Sequence, residues 1–193
     1  MLFMIKHRTY LFTVFCALSA ISHCTTGEIN VRHDAFKGVN TLTMDINADA
    51  EEDVWTLRKY EVKMNFFREV SGNNKGPVYV NLRIETTKET DDNFNKQAFL
   101  QIDNAKYDLK IDNIDKEISM KATATADRSE SSAKVKSEKI LKGRLELPAA
   151  LENAILAGGS MIFRVYLGNQ PVTLVLNTNN ANLGHIKKFF AHS

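Results

Sequence analysis

Val62-Lys63-Met64-Asn65-Phe66-Phe67-Arg68-Glu69-Val70, a turn Ser71-Gly72-Asn73-Asn74-Lys75-Gly76-Pro77, and Val78-Tyr79-Val80-Asn81-Leu82-Arg83-Ile84-Glu85 decide the fold class of this chain. Val62, Met64 and Phe66 alternate with polar or charged neighbours, and Val78, Val80, Leu82 and Ile84 alternate with Tyr79, Asn81, Arg83 and Glu85. A period of two places one set of side chains on each face of a strand, which is the signature of a half-buried sheet. The seven residues between the runs are rich in types that accept positive φ or preset a turn, so the pair reads as a hairpin. The first strand is expected to begin as early as Trp55, in a stretch dense in aromatic and β-branched residues.

The same pattern extends outward on both sides. Upstream, Leu42, Met44 and Ile46 alternate with Thr41, Thr43 and Asp45, and an acidic loop from Asp49 to Asp53 ends that strand. Downstream, Ala98 to Asp103 and Lys106 to Asp112 predict a second hairpin around Asn104-Ala105, each arm ending in Ile-Asp-Asn. This brief echo lacks the unit length and copy number of a solenoid. Ile118, Met120 and Ala122 continue a strand into Thr123 to Lys136, a Ser-, Ala- and charge-rich stretch that predicts a loop. Ile140 to Leu147 resumes as a strand. Pro148 then opens a short helix over Ala149 to Ala157, which Gly158-Gly159 ends.

Met161 to Leu167, a Gly168-Asn169-Gln170-Pro171 turn and Val172 to Leu176 predict a third hairpin. Thr178 or Asn179 is expected to cap a final helix, in which Leu183, Ile186, Phe189 and Phe190 form an apolar stripe against the sheet. The expected architecture is mainly β: an antiparallel β-sandwich or open barrel with a short inserted helix and a C-terminal helix. The rival is an α+β layout, a single sheet with both helices on one face.

The chain begins with a basic start (Lys6, His7, Arg8) followed by an uncharged run from Thr9 to Ser22. A secretory signal pairs a cationic start with an apolar segment of about 7–15 residues and small residues at the cut. Tyr10 to Ile21 supplies that segment and falls short of the roughly 20 apolar residues a membrane-spanning helix needs. Residues 1–23 are therefore expected to be a signal peptide, 24–38 a tether without clear periodicity, and 39–193 one β-rich globular domain. The signal removes Lys6 and Arg8 and no acid from 25 basic and 23 acidic residues, leaving a neutral mature chain. Neutrality does not indicate a nucleic-acid surface, and it leaves membrane attachment to a lipid rather than to overall charge.

Two cuts are open at the end of the signal. Ala20 and Ser22 form a small-x-small site that releases a soluble chain beginning at His23. Ile21-Ser22-His23-Cys24 resembles a bacterial lipobox, in which a cysteine preceded by a small residue receives lipid through its sulfur. His23 departs from the usual Gly, Ala or Ser, in the looser manner of spirochaete lipoproteins, which this N-terminus resembles. The other cysteine, Cys16, lies within the signal, so Cys24 would stand alone in the mature chain and no internal disulfide would form. An intermolecular disulfide or a free thiol is the alternative use of Cys24. Gln97-Ala98-Phe99-Leu100, Phe163-Arg164-Val165-Tyr166-Leu167-Gly168 and Pro171-Val172-Thr173-Leu174 are similar to uncharacterised β-rich envelope proteins of spirochaetes. That resemblance implies an exported β-rich domain and carries over no activity or functional residue.

Chemistry-bearing motifs are sparse. There is no HExxH, GxSxG, P-loop or GxGxxG pattern. His33 beside Asp34 falls in the expected tether, and His185 and His192 share a face of the last helix without further ligands at supporting spacing. Asp103, Asn104, Asp108, Asp112, Asn113 and Asp115 are oxygen-rich but lack the loop spacing of an EF-hand, so capped strand ends are the simpler reading. Trp55, Tyr60, Phe66 and Phe67 suit a core, with one of the adjacent Phe66 and Phe67 turned towards a partner surface if only one sheet face is covered. The expectation is an exported cell-envelope protein, lipid-anchored at Cys24, acting as a non-enzymatic binding or structural module. Its expected partners are the membrane, through the lipid, and a protein or glycan ligand, with no metal, cofactor or nucleic acid. The alternative is a soluble periplasmic or secreted hydrolase, or another small-molecule enzyme, whose site is unlike the familiar motifs.

Overall fold

The computed structural model describes residues 26–50, 60–86, 93–127, 130–177 and 181–192. In chain order the elements are β1 (Ile29–Asp34), β2 (Val39–Asp49), β3 (Glu61–Ser71), β4 (Asn74–Lys75), β5 (Val78–Thr86), β6 (Phe94–Ile102), β7 (Ala105–Asp127) and β8 (Glu130–Leu147). A 3₁₀ turn (Ala149–Leu151), α1 (Glu152–Ala157), β9 (Ser160–Leu167), β10 (Gln170–Asn177) and α2 (Ala181–His192) follow. The strands form one antiparallel sheet in the order β1-β2-β3-β5-β8-β7-β6-β9-β10, with β4 folded back on the end of β3. The sheet curls into a half-barrel, so the chain is mainly β with a short inserted helix and a C-terminal helix. Two pairings, β5 with β8 and β6 with β9, join strands distant in sequence.

The alternation in the sequence becomes a division between faces. Met44, Ile46, Met64, Phe66, Val80, Leu82, Leu141 and Leu145 are buried on one face together with Leu100, Phe163 and Leu174. α2 lays Leu183, Ile186, Phe189 and Phe190 on that face, with Phe189 tilted against Phe66 at 6.0 Å between ring centroids. It packs against β2 and β10, and Asn182 Nδ2 donates to the Asn47 carbonyl at 2.9 Å. α1 lies against α2, and its Glu152 pairs with the buried Arg68 of β3. A single sheet with both helices on its apolar face is what the rival layout shares with the observed one; the curl and the preponderance of strand are what the barrel reading supplies.

Three boundaries differ from expectation. Residues 24–38 are not a tether throughout: Ile29–Asp34 pairs with Val39–Met44 as strand β1, and Gly27 N–H donates to the Asp45 carbonyl at 2.7 Å. Val31 is 55% exposed, so β1 is held by backbone pairing at a sheet edge and shows no buried alternation that a sequence could reveal. The loop expected over Thr123 to Lys136 is the far end of the β7–β8 hairpin, with Thr123 opposite Lys134 and Ala126 opposite Ser131. β5 ends at Thr86, opposite Lys139, so beyond that point no other described strand lies beside β8 and large apolar side chains are not required. β3 begins at Glu61; Trp55, Glu51 to Asp53, Thr178 and Asn179 lie outside the described residues.

Asp103 ties the β6–β7 turn to the end of α1. It has φ 50°, and its carboxylate accepts from Ser160 N–H at 2.9 Å, Gly159 N–H at 3.0 Å and the Ser160 hydroxyl at 3.2 Å. The Ser160 amide above all, with the Gly159 amide, the Ser160 hydroxyl and the charge of Lys187, holds its carboxyl below the ordinary 3.8 against the opposing effect of desolvation. A depressed carboxyl pKa contributes stability above the unfolded-state value and loses it as pH falls through the folded-state value. Asp103→Asn, which tolerates the same positive φ, should lower the urea midpoint at neutral pH. The difference from wild type should close as the pH drops below about 4. Denaturation curves between neutral and acid pH read this directly; a gap that persists in acid would mean that the charge is not what the turn uses.

Candidate ligand-binding cleft

Residues that alternate with the core face lie on the opposite side of the sheet, and there the register assembles polar rows that run across the strands. Asp45 of β2 stands opposite Asn65 of β3, Asn65 opposite Asn81 of β5, Asn81 opposite Arg144 of β8, and Arg144 opposite Asp112 of β7. Hydrogen bonds follow this row: Asn65 Nδ2 donates to Asp45 Oδ1 at 2.8 Å, Asn81 Nδ2 to Asn65 Oδ1 at 3.1 Å, and Arg144 Nε to Asn81 Oδ1 at 2.9 Å. The amide orientations are thereby set by a chain that starts on a carboxylate and ends on a guanidinium.

The next row is cationic. Asn47, Lys63, Arg83, Lys142 and Asp115 stand opposite one another from β2 to β7. Glu85 serves both Lys63 Nζ at 3.1 Å and Arg83 Nε at 2.9 Å, and Glu117 accepts from Lys142 Nζ at 2.6 Å. The hydrogen bond from Lys63, aided by that from Arg83, holds the Glu85 carboxyl below its usual range; Lys142 does the same for Glu117. These pairs are partly exposed, with 50% of Lys63 and 41% of Lys142 side-chain surface open, so solvent screening leaves each a weak contributor to stability. On the other side of the amide row lie Phe67 and Tyr79, stacked at 5.3 Å with Arg144 over both rings.

A β-bulge shapes the face. Between Arg144 and Lys142 β8 has only Gly143, whereas β7 fits Asn113 and Ile114 between Asp112 and Asp115. The extra residue, with Asn113 at φ 51°, returns Asp115 to the side that carries Asp112; strict alternation would put them on opposite faces. Gly143 makes room on the core side for the Ile111 side chain, since a Cβ there would lie 2.6 Å from Ile111 Cγ2. The result is a cleft of ≈ 680 Å³ lined by Asp45, Asn47, Lys63, Asn65, Asn81, Arg83, Asn113, Asp115, Lys142 and Arg144 and bounded at one end by Thr26. Asn47 Nδ2 donates to Thr26 Oγ1 at 3.1 Å. The volume lies within the range of small-molecule sites, about 300–1,000 Å³.

The sequence candidates are dispersed. Cys24 and Trp55 fall outside the described residues. Tyr60 and Phe66 are buried in the core, and Phe67 lies under Arg144 beside Tyr79. His33 Nδ1 is 2.9 Å from Asn40 Oδ1 on the β1–β2 pair, His185 packs against Gly27, and His192 is exposed at the end of α2. Of the Asp/Asn run, Asp103 binds the Gly159–Ser160 backbone, Asp112 pairs with Lys110 at 2.9 Å, and Asn113 and Asp115 line the cleft. Among the described residues no three His, Cys, Asp or Glu side chains are grouped to hold a metal ion. Sequence reasoning did not find the amide row. Its signal was there: Asn and Asp are depleted within strands, yet Asp45, Asn65 and Asn81 sit mid-strand in runs that otherwise alternate cleanly. Comparison with family models, curated proteins and solved structures finds no match to this chain.

Proposed function

We propose that this chain is an exported lipoprotein, held at a membrane through acyl groups on Cys24, which acts there as a non-enzymatic binding module through the polar cleft. The observation that carries the binding reading is the in-register row from Asp45 through Asn65 and Asn81 to Arg144 beside the cationic row. Each member occupies a strand position that a β-branched residue would fill at better propensity. Local rules are broken in this way mainly where function requires it. What the lining offers is oriented amides and fixed positive charge, which hold a ligand in place. The anchor reading is supported by the signal-like start, the lipobox-like Ile21-Ser22-His23-Cys24 and the solitary position of Cys24 in the mature chain.

The test of the anchor is the intact mass of the native protein from the membrane fraction, beside a Cys24→Ser variant. A chain beginning at Cys24 and carrying acyl groups, absent from the variant, is the expected result. An unmodified chain beginning at His23 would overturn it.

A further inference from the structure

Thr26 already borders the cleft and Gly27 is already hydrogen-bonded to β2, so the span between the proposed anchor and the folded domain is two residues. Two residues reach at most about 7 Å even when fully extended. A tether running to Gly38 would have let the domain roam tens of ångströms from the membrane; the observed packing does not. If Cys24 is acylated, the Thr26 end of the cleft lies within about a Debye length, roughly 8–10 Å, of the headgroup layer.

The chemistry of the cleft suits that layer. Four cations line it, Lys63, Arg83, Lys142 and Arg144, against two carboxylates, Asp45 and Asp115. Asp45 accepts from Asn65, and Asp115 accepts from Lys116 N–H, so each carboxylate has a local donor. The pairs that Lys63, Arg83 and Lys142 make with Glu85 and Glu117 are open to solvent and cheap to exchange. A cation row of this kind presents donors to phosphate oxygens, with the Arg83 fork able to take two of them, and the flanking amides and the Thr26 hydroxyl suit the hydroxyls of a polar headgroup. The mature chain as a whole is neutral, so attraction of this kind is local to the cleft.

We propose that the cleft binds the phosphate of an anionic headgroup in the membrane that holds the anchor, fixing the orientation of the domain on that surface. This inference rests on the acylation of Cys24. The test is the rate at which an amine-reactive reagent modifies individual lysines of the full acylated protein, read by mass spectrometry after reconstitution into phosphatidylcholine vesicles with or without phosphatidylglycerol. Lys63 and Lys142 should react about fivefold more slowly with phosphatidylglycerol present, on the scale of one surface charge contact. Lys96, on β6 outside the cleft, reports general changes at the surface. Arg83→Gln, with an unchanged circular dichroism spectrum, should lose most of the protection. Soluble glycerol phosphate added to phosphatidylcholine vesicles separates the sources: protection equal to that from the lipid would make the ligand a free phosphate and overturn the headgroup assignment. Equal lysine rates in all vesicles, on a chain whose mass shows acyl groups, would remove the headgroup site and leave the anchor standing. A mass without acyl groups removes the anchor and the juxtamembrane placement together.

Discussion

Glu152→Gln should destabilise the protein by about 3 kcal/mol, whereas the double replacement Arg68→Met/Glu152→Met should return to within about 1 kcal/mol of wild type. Arg68 is 1% exposed, enclosed between the sheet and the helices with its guanidinium 5.7 Å from the Phe190 ring centre, and Glu152 of α1 is its charge partner. Burying a guanidinium costs several kcal/mol of hydration, which the carboxylate offsets only while both are charged and in contact. Glutamine keeps the shape and a hydrogen-bonding oxygen but takes the opposing charge of Glu152 away from a buried cation. Glu152 keeps about a fifth of its side chain in solvent, which places the loss near the lower end of the range for broken buried pairs. Methionine at both positions removes the charges together and fills similar volume with a flexible apolar chain. Urea denaturation of the three proteins measures this. A double variant less stable than Glu152→Gln would show that the pair is worth more than its desolvation and that the argument is wrong.

How far this fold was legible depended on whether a residue's environment lay within reach of its own segment. Val62 to Phe66 and Val78 to Ile84 announced themselves because every second side chain meets the same core. Leu183, Ile186, Phe189 and Phe190 did so because a helical stripe is a local pattern. β1 and the outer part of the β7–β8 hairpin did not, because backbone pairing to a neighbour leaves no mark on hydropathy where the sequence lacks alternating large apolar residues. The pairings of β5 with β8 and of β6 with β9 join strands distant in sequence, which no single segment encodes.

The cleft was hidden for a related reason. Asn81 and Arg144 are 63 residues apart and meet only through the pairing of β5 with β8. Asp112 and Asp115 share a face only because of a bulge that alternation does not predict. The type of each residue was visible; the register that makes them a site was not. What the sequence did carry was the mismatch between residue and position, asparagine in mid-strand, and this is the signal that points from a β-sheet to a binding surface.

Phe189→Ala is expected to cost about 4 kcal/mol, within the range for emptying a buried aromatic site. Phe189 has no exposed surface and lies between Phe66 of β3 and its own neighbour Phe190, each ring centroid 6.0 Å away, so truncation loses the transfer free energy of the ring and two aromatic contacts and leaves a cavity. The position matters because the described sheet is open: β1 and β10 end it without pairing to each other, and α2 reaches β2 on one side and β10 on the other. The helix therefore covers the apolar face where the strands fail to close, and weakening its grip should release both flanks. Hydrogen exchange should speed up in the amides of β2 and β10 more than in those of β5, which is enclosed by β3 and β8. The cleft is on the opposite face, so the folded variant should retain the lysine protection pattern of wild type. A loss below about 1 kcal/mol, or exchange that rises evenly through the sheet, would mean that the half-barrel holds itself and that the helix is an attachment to it.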